Sequence, residues 1–136
     1  MSERKYLPTF AELCDRLSIV LLKQIFIPEN RRAYIEERKL IEHDLNLLTP
    51  KFRAIDLRAL MVVMLSNRFI WENESKARLG GPEQDKLLKL THSVNGLRNR
   101  AKNILSARAG ERVDLKVDTL AADLLPDFGN WNVFDD

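Results

Sequence analysis

The chain has 136 residues, 45% of them hydrophobic and 31% charged, with a net charge of +2. That length fits one domain with enough apolar material for its own core, so no disulfide framework or structural metal is required. A single cysteine, Cys14, excludes an internal disulfide and fits a reducing cytoplasm; Met1 to Tyr6 lack the apolar run of a signal peptide, and no apolar stretch approaches the roughly 20 residues of a membrane span.

Thr9 and Glu12 form a Thr-x-x-Glu capping box just ahead of apolar periodicity. Phe10, Leu13, Leu17, Val20 and Leu21 recur at three- and four-residue steps, with Ile19, Leu22 and Phe26 as a second stripe. The spacing predicts a first helix to about Ile27, largely buried and ended by Pro28. Asn30 can cap a second helix from about Arg31 to Leu48, with Tyr34, Ile41, Leu45 and Leu48 on one face. Thr49-Pro50 closes it, because a residue before proline avoids helical angles.

A third helix is expected from about Arg53 to Leu79. Its first half, Leu57 to Leu65, is nearly all apolar and is expected at the centre of the core; its second half turns polar along Asn67, Trp71, Glu74 and Arg78. Gly80-Gly81-Pro82 breaks it, and Pro82 suits the first turn of a fourth helix that runs to about Ala107. Leu87, Leu90, Val94, Leu97, Ala101 and Ile104 form the apolar stripe of that helix, roughly opposite a row of His92, Asn95, Asn99, Lys102, Asn103 and Ser106. Helices joined by such short connections predict an all-α antiparallel bundle.

After Gly110 the texture changes. Residues 113–136 carry Lys116 against six aspartates, so residues 1–112 hold a net +7. The expectation is a bundle over residues 1–112 and an acidic, aromatic extension over 113–136 that folds back on it or docks to another protein. A short helix over Thr119 to Leu125 is expected, with Phe128, Trp131 and Phe134 beyond it as candidate contacts to a protein partner or a second subunit.

Asparagine is a mediocre helix former, so a row of amides at helical spacing suggests a surface that hydrogen-bonds a ligand. If the double-glycine breaker sets the register, Asn67 lies level with Asn95 and Trp71 near His92. Asn67, Trp71, Glu74, His92, Asn95 and Asn99 then line one groove, and Arg98, Arg100 and Lys102 neutralise phosphate. The competing structural reading is a buried pair of Asn67 with Asn95.

Two acidic groups offer oxygens that a metal site would need. Asp15, beside Arg16 on an apolar helix, fits a helix-edge ion pair better than a Mg²⁺ ligand. Glu36, Glu37, Glu42, His43 and Asp44 invite comparison with all-α nucleotide pyrophosphohydrolases, which carry Glu-Glu-x-x-Glu followed by Glu-x-x-Asp. Here Glu36-Glu37 is followed by Arg38-Lys39-Leu40, so the third acid is missing, and an alternating-charge helix face explains the pattern better. No metal site or cofactor is expected, and Cys14 between Leu13 and Asp15 reads as packing.

The run Leu13-Cys-Asp-Arg-Leu-Ser-Ile-Val-Leu-Leu-Lys23 resembles an Asp-Arg-Leu-Ser-Ile-x-x-x-Lys helix of uncharacterised small helical proteins from bacteria and tailed phages. The segments Asn67 to Glu74 and His92 to Asn99 are similar in kind. The resemblance implies a helical fold and a phage setting; it implies no activity. The sequence therefore reads as a small cytoplasmic binding protein recognising a nucleotide or nucleic acid through the helix-hairpin face. The alternatives are a protein–protein adaptor or self-assembling module, and a Mg-dependent nucleotide hydrolase.

Overall fold

The computed structural model describes residues 3–48, 51–114 and 133–134. Helix α1 spans Phe10–Phe26, a 3-10 turn Pro28–Asn30, α2 Arg31–Leu47, α3 Ala54–Arg78 and α4 Gln84–Arg108. The fold is an all-α four-helix bundle, with no strand among the described residues.

The helix ends follow local chemistry. Thr9 Oγ1 accepts from the Glu12 amide at 3.2 Å, as the capping box predicts. Asn30 makes no side-chain cap; it sits inside the 3-10 turn that joins α1 to α2, and that turn takes over the cap's role. At the start of α3, Asp56 accepts from the Arg53 amide at 2.8 Å. Gly80 and Gly81 adopt φ of +74° and +99°, the left-handed conformation that stops α3 and reverses the chain into α4.

Helices α3 and α4 pack along each other as a hairpin, and α1 lies across both. Among the helices, α2 packs on α1 alone. The main core joins Phe10, Ala11 and Cys14 of α1, Ala59, Val62 and Val63 of α3, and Leu97, Ala101 and Leu105 of α4. Each fully buried Val, Leu or Phe there contributes about 1.5–3 kcal/mol. Two smaller clusters extend it: Leu13, Val20 and Ile41 between α1 and α2, and Leu90 with Val94 against Phe69 and Ile70.

Several burial expectations are corrected. In the apolar run Leu57 to Leu65 only Ala59, Val62 and Val63 are buried, while Leu57, Met61 and Leu65 are 48%, 61% and 60% exposed. The reason is topological: α2 leaves α3 uncovered on the side away from α1 and α4. Ile25 and Phe26 at the end of α1 and Leu48 after α2 are also exposed, and Leu87 and Ile104 are half-buried.

Past α4, the described residues 111–114 and 133–134 lie against the bundle. Asn103 holds Asp114 at two points, its Nδ2 donating to the Asp114 carbonyl and its Oδ1 accepting from the Asp114 amide, both at 2.9 Å. Glu111 accepts from the Phe10 amide at 2.8 Å, satisfying a free donor at the start of α1. Arg112 pairs with Glu12 at 3.2 Å, donates to the Leu7 carbonyl and lies over the Tyr6 ring. Phe134 packs on the main core beneath Arg100, and Arg58 donates to the Val133 carbonyl at 3.3 Å. Phe134 is thus seated on its own bundle. The proposed helix over 119–125, Phe128 and Trp131 lie outside the described residues.

Candidate functional site

The hairpin register places the polar faces of α3 and α4 beside α1 and opens a groove of about 610 Å³. Helix α3 supplies Asn67, Ile70, Trp71 and Glu74; α4 supplies Leu88, Thr91, His92, Asn95 and Arg98; α1 closes one wall with Ile19 and Leu22. Six of the anticipated residues, Asn67, Trp71, Glu74, His92, Asn95 and Arg98, therefore share one cleft.

Their roles within it differ. Asn67 is 3% exposed and its amide is fully engaged at the floor. Its Nδ2 donates to Asp15 Oδ1 at 2.7 Å and to Ser18 Oγ at 3.1 Å, and its Oδ1 accepts from Arg98 Nη1 at 2.6 Å. Arg98 Nη2 donates to Asn95 Oδ1. Asn67 and Asn95 are therefore level, as the register predicts, but joined through one guanidinium rather than to each other. Asn67 positions Arg98 and leaves no polar atom over for a ligand.

Asp15 does not pair with Arg16. Its Oδ2 faces Lys102 Nζ at 3.5 Å, so its charge is balanced from α4. Arg98 has no carboxylate partner among the described residues: two nitrogens are held by neutral amide oxygens and Nε is buried without an acceptor. The Asp15, Lys102 and Arg98 set thus leaves one uncompensated positive charge, fixed in direction, at the inner end of the groove. A charge removed from water without a counter-ion is costly, and an arriving anion relieves that cost.

The rest of the groove is amphipathic. Trp71 is half-buried, its ring 6.5 Å from the Phe26 ring, and Ile70, Leu22 and Leu88 give the walls an apolar character. Thr91 is 9% exposed, and its Oγ1 has no hydrogen-bond partner. Buried hydroxyls are normally satisfied, so this one is a polar group in want of an acceptor or donor. His92 stands exposed at the rim and Glu74 is half-exposed, 4.0 Å from Arg78. Sequence reasoning missed Thr91, Ile19 and Leu22. Thr91 lies one helical turn before Asn95, which is the signal that could have found it.

Asn99 and Lys102 do not join this cleft. They line a separate depression of about 520 Å³ with Tyr6, Thr9, Glu12 and Arg112. Lys102–Asp15, Arg112–Glu12 and the Asn103–Asp114 clasp take up several of its polar groups. Of the three cations the sequence suggested, Arg98 is the one that lines the groove among the described residues.

The remaining candidates are structural. On α2, Glu42 pairs with Arg38 at 3.2 Å, Glu36 with Lys39 at 3.8 Å, and His43 with Asp44 at 3.1 Å. No group of three or more His, Cys, Asp or Glu side chains that could hold a metal occurs among the described residues. Burial, with the charges of Asp15 and Glu111 adding to it, pushes the Cys14 thiol up to about 12. Asp56 is buried and paired with Arg108 (Nε to Oδ1 2.5 Å, Nη2 to Oδ2 3.1 Å); that hydrogen bond first, and the Arg53 amide after it, hold its carboxyl below the usual range. The same contact raises Arg108. No helix among the described residues is long and apolar enough to cross a membrane. Comparison with family models, curated proteins and solved structures returned no match to the chain.

Proposed function

We propose that the protein is a binding module whose ligand is a nucleotide or a nucleotide-bearing polymer, held in the groove between α1, α3 and α4. The uncompensated guanidinium of Arg98 carries this reading. It is fixed by two amides, so a phosphate oxygen meets a cation that needs no reorganisation. Trp71 offers an indole face to a flat ring, and Asn95 keeps its Nδ2 for hydrogen bonding to the ligand. The groove's volume lies within the usual range of small-molecule sites, about 300–1,000 Å³.

The test is calorimetric titration of the full chain with mononucleotides and a short single-stranded oligonucleotide at low and moderate salt. Phosphate-dependent binding weakens as salt rises. Trp71→Ala and Asn95→Ala are expected to abolish binding with helical content by circular dichroism retained; Trp71→Ala leaves the melting temperature near wild type, whereas Asn95→Ala lowers it because Arg98 loses an acceptor. Binding that survives both substitutions, or is indifferent to salt, overturns the reading.

A further inference from the structure

The groove is polarised along its length, and we infer that its ligand is a guanine nucleoside monophosphate, with the phosphate on Arg98 and the base edge on Glu74. The inference rests on the nucleotide reading above and adds to it the size, charge and orientation of the ligand.

Asn67 and Glu74 are seven residues apart on one helix, a rise of about 10 Å. The antiparallel partner helix runs from Arg98 and Asn95 past His92 and Thr91 to Leu88; Asn95 to Leu88 is the same seven-residue rise, and Arg98 lies about one turn beyond it. One end of the groove is therefore cationic, the middle holds Trp71 opposite His92, and the far end carries a carboxylate. That sequence of phosphate site, ring platform and hydrogen-bond acceptor matches the order of groups in a nucleoside 5′-monophosphate laid along the cleft.

Charge limits the ligand to one phosphate. Among the described residues Arg98 is the single Lys or Arg lining the groove, and two of its nitrogens are already bound to amide oxygens. A triphosphate or a polynucleotide brings several negative charges, and the groove answers only one of them. Glu74 at the opposite end repels any further phosphate that extends that way.

Glu74 also selects the base. An ionised carboxylate only accepts hydrogen bonds and has two oxygens to do it with. Guanine presents two adjacent N–H donors, at N1 and N2, so it can satisfy both oxygens together. Uracil presents one N–H between two carbonyls, and those carbonyls face the carboxylate unfavourably. The Glu74 side chain is half-exposed and holds only a long contact to Arg78, so it is free to turn to a base.

The full chain is titrated calorimetrically with GMP, UMP, GTP, guanosine and a single-stranded oligonucleotide. GMP is expected to bind at least tenfold tighter than UMP, in line with the discrimination of one bidentate contact. GMP is also expected to exceed guanosine and to match or exceed GTP. Glu74→Gln, a half-exposed isosteric change, is expected to bring the GMP-to-UMP ratio close to one, by weakening GMP and by relieving the repulsion of the uracil carbonyls so that UMP binds no weaker than to wild type. If GTP or the oligonucleotide binds tighter than GMP, or if Glu74→Gln leaves the ratio unchanged, the orientation and ligand class are wrong while the groove remains a nucleotide site. If none of these ligands binds, both readings fall together.

Discussion

Arg98 on α4 reaches across the hairpin to Asn67 on α3, Nη1 donating to Oδ1 at 2.6 Å, while Asn67 Nδ2 donates to Asp15 on α1 at 2.7 Å. One buried amide thus ties together three helices and holds a cation and an anion apart at the base of the groove. Removing it strips Asp15 and Arg98 of a partner at once. Asn67→Ala is expected to destabilise the fold by about 2–4 kcal/mol, the scale for orphaned buried charged groups. Chemical denaturation gives the number, and a loss of under about 0.5 kcal/mol, the scatter of surface substitutions, would show that the network contributes nothing.

The Asp56–Arg108 pair makes a pH-dependent contribution of defined sign. Asp56 has its pKa lowered on folding, chiefly by the Arg108 hydrogen bond. Its unfolded value is near 3.9. The pair's stabilisation is therefore complete above that value and is lost as pH falls through the lower, folded value. Melting temperature followed from neutral pH into acid is expected to drop more steeply in wild type than in Asp56→Asn. Parallel acid limbs would refute the assignment.

Much of this was legible in the sequence, for local reasons. Thr9, Pro28 and the double glycine act within a few residues, so the ends of α1 and the α3–α4 turn follow from chain-local rules. Fixing that turn also fixed the register that unites Trp71, His92, Asn95 and Arg98 in one cleft. What could not be read was which helix covers which. The Leu57 to Leu65 run is apolar save for Arg58, and nothing in it tells that α2 packs only on α1. The partner of Asp15 lay equally out of reach: Arg16 is adjacent in sequence, yet Lys102 and Asn67 arrive from distant positions. Asn103 looked like a ligand amide, and only the path of the chain after α4 shows it clasping Asp114.

Cys14 is expected to be chemically silent in the folded protein. With its pKa pushed up to about 12, its thiolate fraction at about pH 8 is on the order of one in ten thousand, far below that of an unperturbed thiol. It is also buried beside Phe10 and Leu17 at the base of an apolar cavity of about 540 Å³. Thiol labelling with a chromogenic disulfide is expected to track global unfolding, accelerating with denaturant in step with loss of helix. Rapid stoichiometric labelling under native conditions would contradict this.

The uncovered apolar stripe of α3 makes a prediction opposite to the one its composition suggests. A sequence-based view of Leu57, Met61 and Leu65 as core residues implies losses of about 2–5 kcal/mol on truncation or charge insertion. Their exposure of 48–61% implies instead that the side chains already meet solvent. Met61→Lys and Leu65→Gln are therefore expected to change folding free energy by no more than about 0.5 kcal/mol. Denaturant midpoints at low protein concentration measure this directly. A loss of several kcal/mol in either variant would mean that the stripe is covered in the folded state, and that α3 has a neighbour the helix packing does not include.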